Sequence, residues 1–384
     1  MRLAVDVAIV GGGVAGLWLL ARLRDMGYAA VLVEAVALGA GQTIRSQGII
    51  HGGTKYALHG RLSGAARTIA AMPALWRRCL EGEGELDLAG VRLLSAHQYL
   101  WTSAGLATRL AGFFASRVMA SRMDALRGAE IPAALREATG AVYRLDEPVL
   151  DVGSLLAAFR ERYGSALLWA RCQRVDARHG VLALIGAEGG EIELCAERLV
   201  LTAGAGNAAL SAIPMQRRPL HMVMARAAGL PLVYAHYLGT REVPRLTITS
   251  HRAGAGDIVW YLGGQLAEQG VVRSGAAQIA EARRELREAL PWLDLSGLRL
   301  ATLRVDRAEA RQTDGGRPDT PTLFREGRAL VGWPTKLAMA PLLAESIVVT
   351  LEQEGVRPHA DQPELPLPPP PVAAYPWEEV GIWS

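Results

Sequence analysis

Three glycines and one glutamate near the start of the chain have the spacing of a phosphate-binding turn. Gly11, Gly13 and Gly16 follow an apolar run that begins at Val5, and a helical pattern continues after them. The first glycine permits a tight turn, the second lets the backbone approach a pyrophosphate, and the third lets the helix pack on the strand. Glu34 ends a second apolar run, where a carboxylate accepts hydrogen bonds from a ribose 2′-OH. The sequence therefore predicts a dinucleotide-binding corner, with phosphates at the helix N-terminus.

Length and composition limit the classes of protein to consider. The chain has 384 residues, of which half are hydrophobic and 21% are charged, and its net charge is +3. That is an ordinary globular balance, and the length favours two domains. Because no long basic run accompanies the small net charge, nucleic acid is excluded as the main partner.

The cysteines, the histidines and the hydropathy limit the cellular compartment and the kinds of site to expect. Cys79, Cys172 and Cys195 are scattered without a CxxC pair, which predicts a reducing, cytoplasmic environment and excludes a redox dithiol. The eight histidines show no metal-ligand spacing, so we expect no metal. After the N-terminal stretch, which belongs to the fold, no window reaches about 18 uncharged apolar residues, so we expect no transmembrane span.

The hydrophobic periodicity predicts a discontinuous organisation. Helices are expected over 54–81, 106–127, 151–163, 278–290 and 337–354, and strands dominate the middle of the chain. The simplest division has a nucleotide-binding domain, an inserted substrate domain of mostly antiparallel strands, and a proline-rich tail. Their residues are 1–85, 150–214 and 300–357 for the first, 86–149 and 215–299 for the second, and 358–384 for the tail. We expect the tail to be an extended strap packed on the body, the alternative being contact with a partner or membrane surface.

A family resemblance follows from residues 41–56, GQTIRSQGIIHGGTKY. This segment resembles the corresponding loop of FAD-linked glycerol-3-phosphate dehydrogenases and L-2-hydroxyglutarate dehydrogenases, which belong to the D-amino-acid-oxidase-like (glycine-oxidase-like) superfamily. Ile-His-Gly-Gly at 50–53 is its most specific part. Residues 202–206, 303–304 and 332–337 resemble later motifs of the same superfamily. The resemblance implies an α/β fold, with a Rossmann-like FAD-binding domain, an inserted, mostly antiparallel β-sheet substrate domain, and the flavin at their boundary.

The resemblance also has departures, and it implies a set of cofactor contacts. The chain is shorter than typical glycerol-3-phosphate dehydrogenases, and Ala35 and Val36 replace the basic residue often found after the acid, which argues against glycerol phosphate as substrate. By resemblance, the strand end at Val175 contacts adenine. The predicted FAD contacts are Gly11, Gly13, Val14, Ala15, Gly16, Glu34, Gln42, Thr43, Ser46, Gln47, Gly48, Ile50, Val175, Ala203, Gly204, Gly332, Lys336 and Leu337.

Five side chains are candidates for a role beside the flavin. His51 could act as a base for a substrate hydroxyl or as a hydrogen-bond donor, and a structural histidine is the alternative. Lys336, before a helix, could stabilise negative charge on reduced flavin, unless it is a solvated surface lysine. Arg304 offers a planar fork for a substrate carboxylate, or forms an interdomain salt bridge. Tyr261 and His251 could face the flavin, although core or surface packing is the alternative for both.

These observations predict an FAD-dependent oxidoreductase, a dehydrogenase or an oxidase. We expect it to oxidise a small, carboxylate-bearing hydroxy acid or amino acid, with hydride passing from Cα–H to flavin N5. One alternative is a glycine-oxidase-like amine oxidase that uses oxygen. Another is a flavoprotein subunit of an electron-transfer complex, docked through the tail. The acceptor (quinone, oxygen or a protein) and the oligomeric state stay open.

Overall fold

The computed structural model describes residues 1–53, 69–105, 123–240, 243–359, 361–381 and 383–384. Most of the helix predicted over 106–127 and the first half of the one predicted over 54–81 lie outside these residues. Within them, a helix spans Met72–Leu80. Residues Met123–Ala125 form a strand. The helix predicted over 106–127 is therefore wrong at its C-terminal end.

Among the described residues, the chain passes back and forth between two large sheets, and two short strands form a separate antiparallel pair. The strands are β1 Arg2–Val10, β2 Ala30–Glu34, β3 Leu93–Ser95, β4 Gln98–Trp101, β5 Met123–Ala125, β6 Val142–Leu145, β7 Val149–Leu150, β8 Leu167–Asp176, β9 Val181–Gly186, β10 Glu191–Leu201, β11 Met215–Ala227, β12 Ala235–Tyr237, β13 Leu246–Arg252, β14 Ile258–Gly263, β15 Arg299–Ala310, β16 Thr322–Glu326 and β17 Ala329–Trp333. The α-helices are α1 Val14–Asp25, α2 Met72–Leu80, α3 Val152–Tyr163, α4 Asn207–Leu210, α5 Gln265–Gln269, α6 Gly275–Ala289, α7 Ala340–Gln353 and α8 Pro376–Glu379. Short 3-10 turns include Gly204–Gly206 and Leu337–Met339.

The first sheet has seven strands among the described residues, and the glycine turn follows its central strand β1. Strand β1 pairs in parallel with β2 and with β10, and β10 pairs in parallel with β17. Strands β8 and β9 extend the sheet as an antiparallel pair. Buried apolar side chains run along β1 on both faces, as expected for a strand covered on both sides. Helices α1 and α7 pack together beside this sheet, and the indoles of Trp18 and Trp76 lie 4.6 Å apart in the same core.

In the described part of the chain, the second sheet has eight strands in the order β15-β11-β14-β13-β12-β4-β6-β5. Its pairings are antiparallel, apart from the parallel pair of β12 with β4. This confirms the mostly antiparallel sheet that the sequence predicts. Strand β15 pairs along its whole length with β11, from Met215 opposite Ala310 to Arg226 opposite Arg299. The domain boundary predicted at residue 300 assigns β15 to the nucleotide-binding domain. The pairing of β15 with β11 shows instead that β15 belongs to the second sheet.

The C-terminal tail packs along the body, as the strap prediction had it. The N–H of Leu38 donates to the carbonyl of Pro371 at 2.8 Å, and the N–H of Ala373 donates back to Leu38. At its far end the tail exchanges two backbone hydrogen bonds between Ser384 and Leu300, in β15. The tail therefore spans both sheets. Within the described ranges, none of the helices has the length and apolarity that a bilayer crossing requires.

Candidate active site

A cavity of about 1140 Å³ lies between the two sheets. This is more than the roughly 300–1,000 Å³ of common small-molecule sites. Its wall is formed by the glycine turn, the loop after β2, the turn at 202–206, the facing parts of β11 and β15, and the segment that follows β17. Among the predicted residues, the wall includes Gly11, Gly13, Val14, Ala15, Glu34, Gln42, Thr43, Ser46, Gln47, His51, Ala203, Gly204, Arg304, Gly332, Lys336 and Leu337.

The glycine turn has the close backbone approaches that the sequence predicts. Gly11 has φ +111, and a Cβ on it would lie 2.6 Å from the Cα of Ala203. A Cβ on Gly16 would lie 2.1 Å from the carbonyl oxygen of Gly11, so Gly16 sets the packing of α1 without lining the cavity. The N–H of Val14 donates to the Thr43 hydroxyl at 3.1 Å, which ties the loop after β2 to the start of α1.

Glu34 stands at the carboxyl end of β2, where the sequence places it. Its Oε2 accepts a hydrogen bond from the N–H of Gly12 at 2.7 Å, and its Oε1 accepts one from the N–H of Val36 at 2.8 Å. The side chain is half-buried and lines the cavity. These two bonds hold the carboxylate beside the glycine turn, where it can accept from ribose hydroxyls.

The loop after β2 is fastened to the second sheet through Gln47. Its Nε2 donates to the carbonyl of Tyr261 at 2.8 Å and to that of Thr247 at 3.4 Å. Gly48 and Ile50, predicted as cofactor contacts, do not line the cavity. A Cβ on Gly48 would meet the carbonyl oxygen of Leu150 at 2.3 Å, and Ile50 is fully buried. Both residues therefore shape the loop instead of facing the cavity.

Val175, predicted from the resemblance to contact adenine, does not line the cavity either. It lies near the end of β8, where it pairs with Leu182 of β9, and it is absent from the cavity wall. The wall is formed instead by Ala170, Arg171 and Cys172, which follow the short stretch of β8 that pairs with β2. Burial raises the pKa of the Cys172 thiol to about 11, so this thiol is neutral at pH 7 and is no nucleophile.

Tyr261, predicted as a residue that could face the flavin, does not line the cavity. Its side chain is fully buried and lies behind the cavity wall. The phenol donates to the carbonyl of Arg45 at 3.0 Å, and burial raises its pKa above the ordinary range. Tyr261 therefore supports the loop after β2 from behind and does not face the site. His251 is also buried, against the indole of Trp377 at a ring-centroid distance of 4.3 Å, so the packing alternative holds for both.

The chain returns to the cavity at 202–206 and again at 332–337. The indole of Trp333 donates to the carbonyl of Gly204 at 3.1 Å and joins the two segments. Thr335 has φ +61, which is unusual for a β-branched residue and marks local backbone strain at the wall. Lys336 follows directly and occupies the N-cap position of the turn Leu337–Met339, which leads into α7. The geometry thus brings Lys336 to the cavity, at the start of a helical segment.

His51 meets two residues that sequence reasoning did not single out, Glu147 and His236. The Nδ1 of His51 lies 3.1 Å from Oε2 of Glu147, and Oε1 of Glu147 accepts from the N–H of Gly52 at 2.9 Å. The ring of His236 stacks on that of His51 at 5.9 Å, and its Nδ1 lies 2.8 Å from the Thr247 hydroxyl. All three line the cavity, and one ligand atom from each lies within 4.8 Å of the others. His51, Glu147 and His236 together form the His51 trio, which can exchange protons or hold a cation.

Arginines form another part of the wall. Arg304 is exposed, and its guanidinium donates to the carbonyls of Val271 and Arg273, each at 2.8 Å. Arg307, which the sequence analysis did not single out, is half-buried and lies 3.5 Å from Glu268. Burial and the nearby charge of Arg218 lower the pKa of Arg307. A partly desolvated cation of this kind attracts an anion from the cavity.

The residues present fit FAD. At Gly11 the backbone lies too close to Ala203 to leave room for a side chain. This close backbone approach is what a pyrophosphate-binding turn requires. Glu34 and residues 170–172 line the cavity close to one another, because Glu34 pairs with Trp169 of β8. The remaining volume extends to the His51 trio and the arginines, so the cavity can accommodate a dinucleotide with a small substrate. Gly11, Gly13, Glu34, Thr43 and Gly204 would hold the cofactor.

Comparison with known proteins agrees with this geometry. The family described as "DAO: FAD dependent oxidoreductase" matches residues 6–340. The chain is 53% identical over 389 residues to the probable FAD-dependent oxidoreductase PA4991 of Pseudomonas aeruginosa, covering 98% of both chains. The crystal structure of PA4991 superposes with a TM-score of 0.83 at 48% identity, again over 98% of each chain.

More distant structures share the fold. The glycine oxidase of Geobacillus kaustophilus superposes with a TM-score of 0.61 at 19% identity, over 91% of this chain and 95% of that one. Both sheets and the connection between them are therefore those of the glycine-oxidase-like fold. Since the family match spans most of the chain and the Pseudomonas relative is matched along nearly its whole length, this protein belongs to the DAO family of FAD-dependent oxidoreductases.

Proposed function

We propose that the protein oxidises a small, carboxylate-bearing hydroxy acid, with an amino acid as the alternative substrate class. The observation that carries the proposal is the single cavity in which the dinucleotide corner, the His51 trio and the arginines all form the wall. When bound, FAD supplies the redox chemistry, since its N5 accepts the hydride from Cα–H. The residues of the chain then have to orient the substrate and manage its proton and its charge.

The carboxylate of the substrate is assigned to the arginine wall. Arg304 keeps the role predicted from the sequence, and Arg307 adds a half-buried guanidinium on the same strand. Guanidinium forks bind carboxylates in a planar, bidentate manner, which orients Cα. Lys336 is proposed to stabilise negative charge on the reduced cofactor, because it lines the cavity at the start of the helical segment that leads into α7.

The chemistry at the substrate oxygen favours the hydroxy acid. Oxidation of an alcohol to a ketone releases the hydroxyl proton as well as a hydride, so a nearby base is required. A neutral amine can lose a hydride to give an iminium ion without giving up a proton first. His51 lies in the cavity wall beside a carboxylate, which suits the base that the alcohol needs.

An amine oxidase that uses oxygen remains the second candidate. It is supported by solved structures of the same fold that are named glycine oxidase and L-amino acid deaminase. At 15% and 19% identity these share the fold alone. The third reading, a subunit docked through its tail, has less support, because Trp377 in the tail is 3% exposed and packs on His251 and Tyr261 of the same chain.

Anaerobic reduction of the purified holoenzyme separates the two enzyme classes. We expect glycolate, L-lactate or L-malate to bleach the visible flavin absorption, and glycine, sarcosine and L-proline to leave it unchanged. Bleaching by the amines alone would reject the hydroxy acid assignment in favour of the amine oxidase. Reoxidation of the reduced enzyme by air, a soluble quinone or an artificial dye then identifies the class of acceptor.

A further inference from the structure

Glu147 is a nearly inaccessible carboxylate placed against an accessible histidine. Its side chain is 3% exposed, whereas that of His51 is 26% exposed and reaches the cavity. Its two oxygens have different partners: Oε1 accepts from the N–H of Gly52 at 2.9 Å, and Oε2 lies 3.1 Å from Nδ1 of His51. A buried carboxylate is costly unless it is hydrogen-bonded, and both of these bonds come from the one loop that carries His51.

Backbone pairing fixes the distance between the two side chains. Ile49 forms a bridge with Val149, and the N–H of Ile50 donates to the carbonyl of Pro148 at 2.9 Å. The residues next to His51 are thus paired with the residues next to Glu147, although the two segments lie almost a hundred positions apart in the chain. The pair is therefore held by the fold and not by flexible side chains meeting at a surface.

We propose that Glu147 is a positioning residue that holds His51 as the base of the reaction, an inference that rests on the proposed function. An ionised carboxylate only accepts hydrogen bonds, so the His51 nitrogen that faces it, Nδ1, must carry a proton. Nε2 is then the nitrogen that accepts a proton from the substrate, and the carboxylate stabilises the imidazolium that forms.

The proton balance of this step is complete. The hydroxyl O–H bond breaks, its proton bonds to Nε2 of His51, and its electron pair becomes the second bond of the carbonyl group. The C–H bond breaks as well, and its hydrogen leaves with both electrons as the hydride taken up by the bound cofactor. The keto acid forms with His51 as an imidazolium beside Glu147, and solvent removes the proton afterwards.

His236 is the third member of the cluster. Its presence raises a competing explanation, which is that the cluster binds a metal ion. Two imidazoles and one carboxylate with ligand atoms within 4.8 Å of one another could also hold a divalent cation. Both oxygens of Glu147, however, already have partners within the chain, Oε1 the N–H of Gly52 and Oε2 the Nδ1 of His51 itself. We therefore assign the pair to proton transfer and treat cation binding as an outcome that rejects the proposal.

The first test does not need the substrate. Glu147→Gln keeps a carbonyl oxygen for Gly52 and turns an NH₂ group toward His51, which cannot accept from Nδ1–H. In NMR spectra of the FAD-loaded protein with isotope-labelled histidine, we expect the His51 signals, assigned by their loss in His51→Gln, to show Nδ1–H in the wild type and the opposite tautomer in Glu147→Gln. Unchanged His51 signals in Glu147→Gln would overturn the proposal.

The second test uses whichever hydroxy acid of the panel bleaches the flavin. Glu147→Gln is expected to slow flavin reduction by roughly 10²–10⁴-fold. Its KM should stay within about threefold of the wild-type value, because substrate binding is not altered. The double variant His51→Gln with Glu147→Gln should be no slower than His51→Gln alone, since the two residues act as one unit. Multiplied losses would mean that Glu147 acts independently of His51.

Controls separate positioning from folding and from metal binding. Asp146→Asn removes the neighbouring charge, whose side chain is 68% exposed, and should leave reduction rates and the His51 signals unchanged. Flavin content and thermal unfolding of Glu147→Gln should match the wild type. A stoichiometric divalent metal in protein purified without chelator, with activity lost on its removal, would reject the proposal. Absence of any substrate in the panel would reject the proposed function, and the NMR result would still decide the tautomer.

Discussion

The phenol of Tyr375 donates to Oδ1 of Asp151 at 2.7 Å and joins the tail to the start of α3. The same phenol oxygen accepts from the N–H of Gly153 at 2.8 Å, and Oδ1 of Asp151 also caps the helix by accepting from the N–H of Ser154. Burial alone would raise the pKa of Asp151, but hydrogen bonds from Tyr375, Arg92 and Ser154 outweigh it and lower that pKa. The tail therefore completes a buried polar network and is an integral part of the fold.

Tyr375→Phe tests this network. Removing the hydroxyl leaves a buried carboxylate oxygen with one bond fewer, so we expect the free energy of unfolding to fall by about 1–3 kcal/mol. Urea unfolding of the holoenzyme near neutral pH measures the change. In a double-mutant cycle with Asp151→Asn, the combined loss should be smaller than the sum of the single losses, because the two groups share one bond. Additive losses would show that the phenol stabilises the tail by packing alone.

His251 gives the stability a dependence on pH. It is 3% exposed beneath Trp377, and burial lowers its pKa to about 3. Since the unfolded chain binds the proton near the ordinary value of 6.5 and the folded chain does not, stability is full above that value and falls as the pH drops from 6.5 toward 3. Between about pH 7.5 and about pH 5, His251 should cost about 2 kcal/mol of unfolding free energy.

The comparison variant for His251 is His251→Gln. The readout is the change of its unfolding free energy with pH, not its absolute stability, so a destabilised variant still answers the question. Its loss between the two pH values should be smaller than that of the wild type by the amount that His251 contributes. Equal pH dependence in His251→Gln and the wild type would contradict the assignment.

Gly11→Ala tests the cofactor corner. Because φ is +111 and an added Cβ would lie 2.6 Å from the Cα of Ala203, the substitution has to move one of two backbone segments that meet there. We expect FAD content after purification to fall by at least about tenfold, a change of about 1.4 kcal/mol in binding. The ratio of flavin to protein absorption measures it. Gly90→Ala, at a position with nothing within 4 Å of the added methyl group, should retain full flavin.

The parts of the site that are local in sequence could be predicted from the sequence. The turn from Gly11 to Gly16 and the acid at Glu34 belong to one strand-helix-strand unit, so their spacing alone determines how they meet. The loop after β2 could be assigned because its residues resemble a known family. In both cases the structure places the predicted residues at the cavity, apart from Gly16, Gly48 and Ile50.

The residues that were missed depend on pairing between distant segments. Glu147 reaches His51 through the bridge of Ile49 with Val149, and His236 arrives on β12, which pairs in parallel with β4. No periodic pattern in the sequence indicates which residues of these distant segments lie opposite one another. Val175 was misplaced for the same reason. Only the first residues of β8 pair with β2, so the cavity opens at 170–172 and the rest of β8 continues beside β9.

Two arginines of β15, Arg304 and Arg307, line the cavity and are candidates to bind the substrate carboxylate. The guanidinium of Arg304 donates to two carbonyls at 2.8 Å, whereas that of half-buried Arg307 makes longer bonds, to the carbonyl of Arg218 at 3.3 Å and to Glu268 at 3.5 Å. A hydrogen bond to a charged group contributes about 1.5–3 kcal/mol, so Arg307→Met should raise KM for the acidic substrate by roughly 10–100-fold with little change in kcat. Arg304→Met should raise it less, because its own bonds compete with the substrate.

The methyl ester of the same substrate provides the control for this comparison. It lacks the negative charge that either guanidinium would bind, so Arg307→Met and the wild type should oxidise it with similar KM values. A larger effect of Arg304→Met than of Arg307→Met on the free acid would return the clamp to Arg304, as its position in the sequence predicts. If neither variant alters KM for the acid while the ester is also unaffected, the carboxylate contacts neither arginine. The positive wall formed by β11 and β15 would then serve the cofactor and not the substrate.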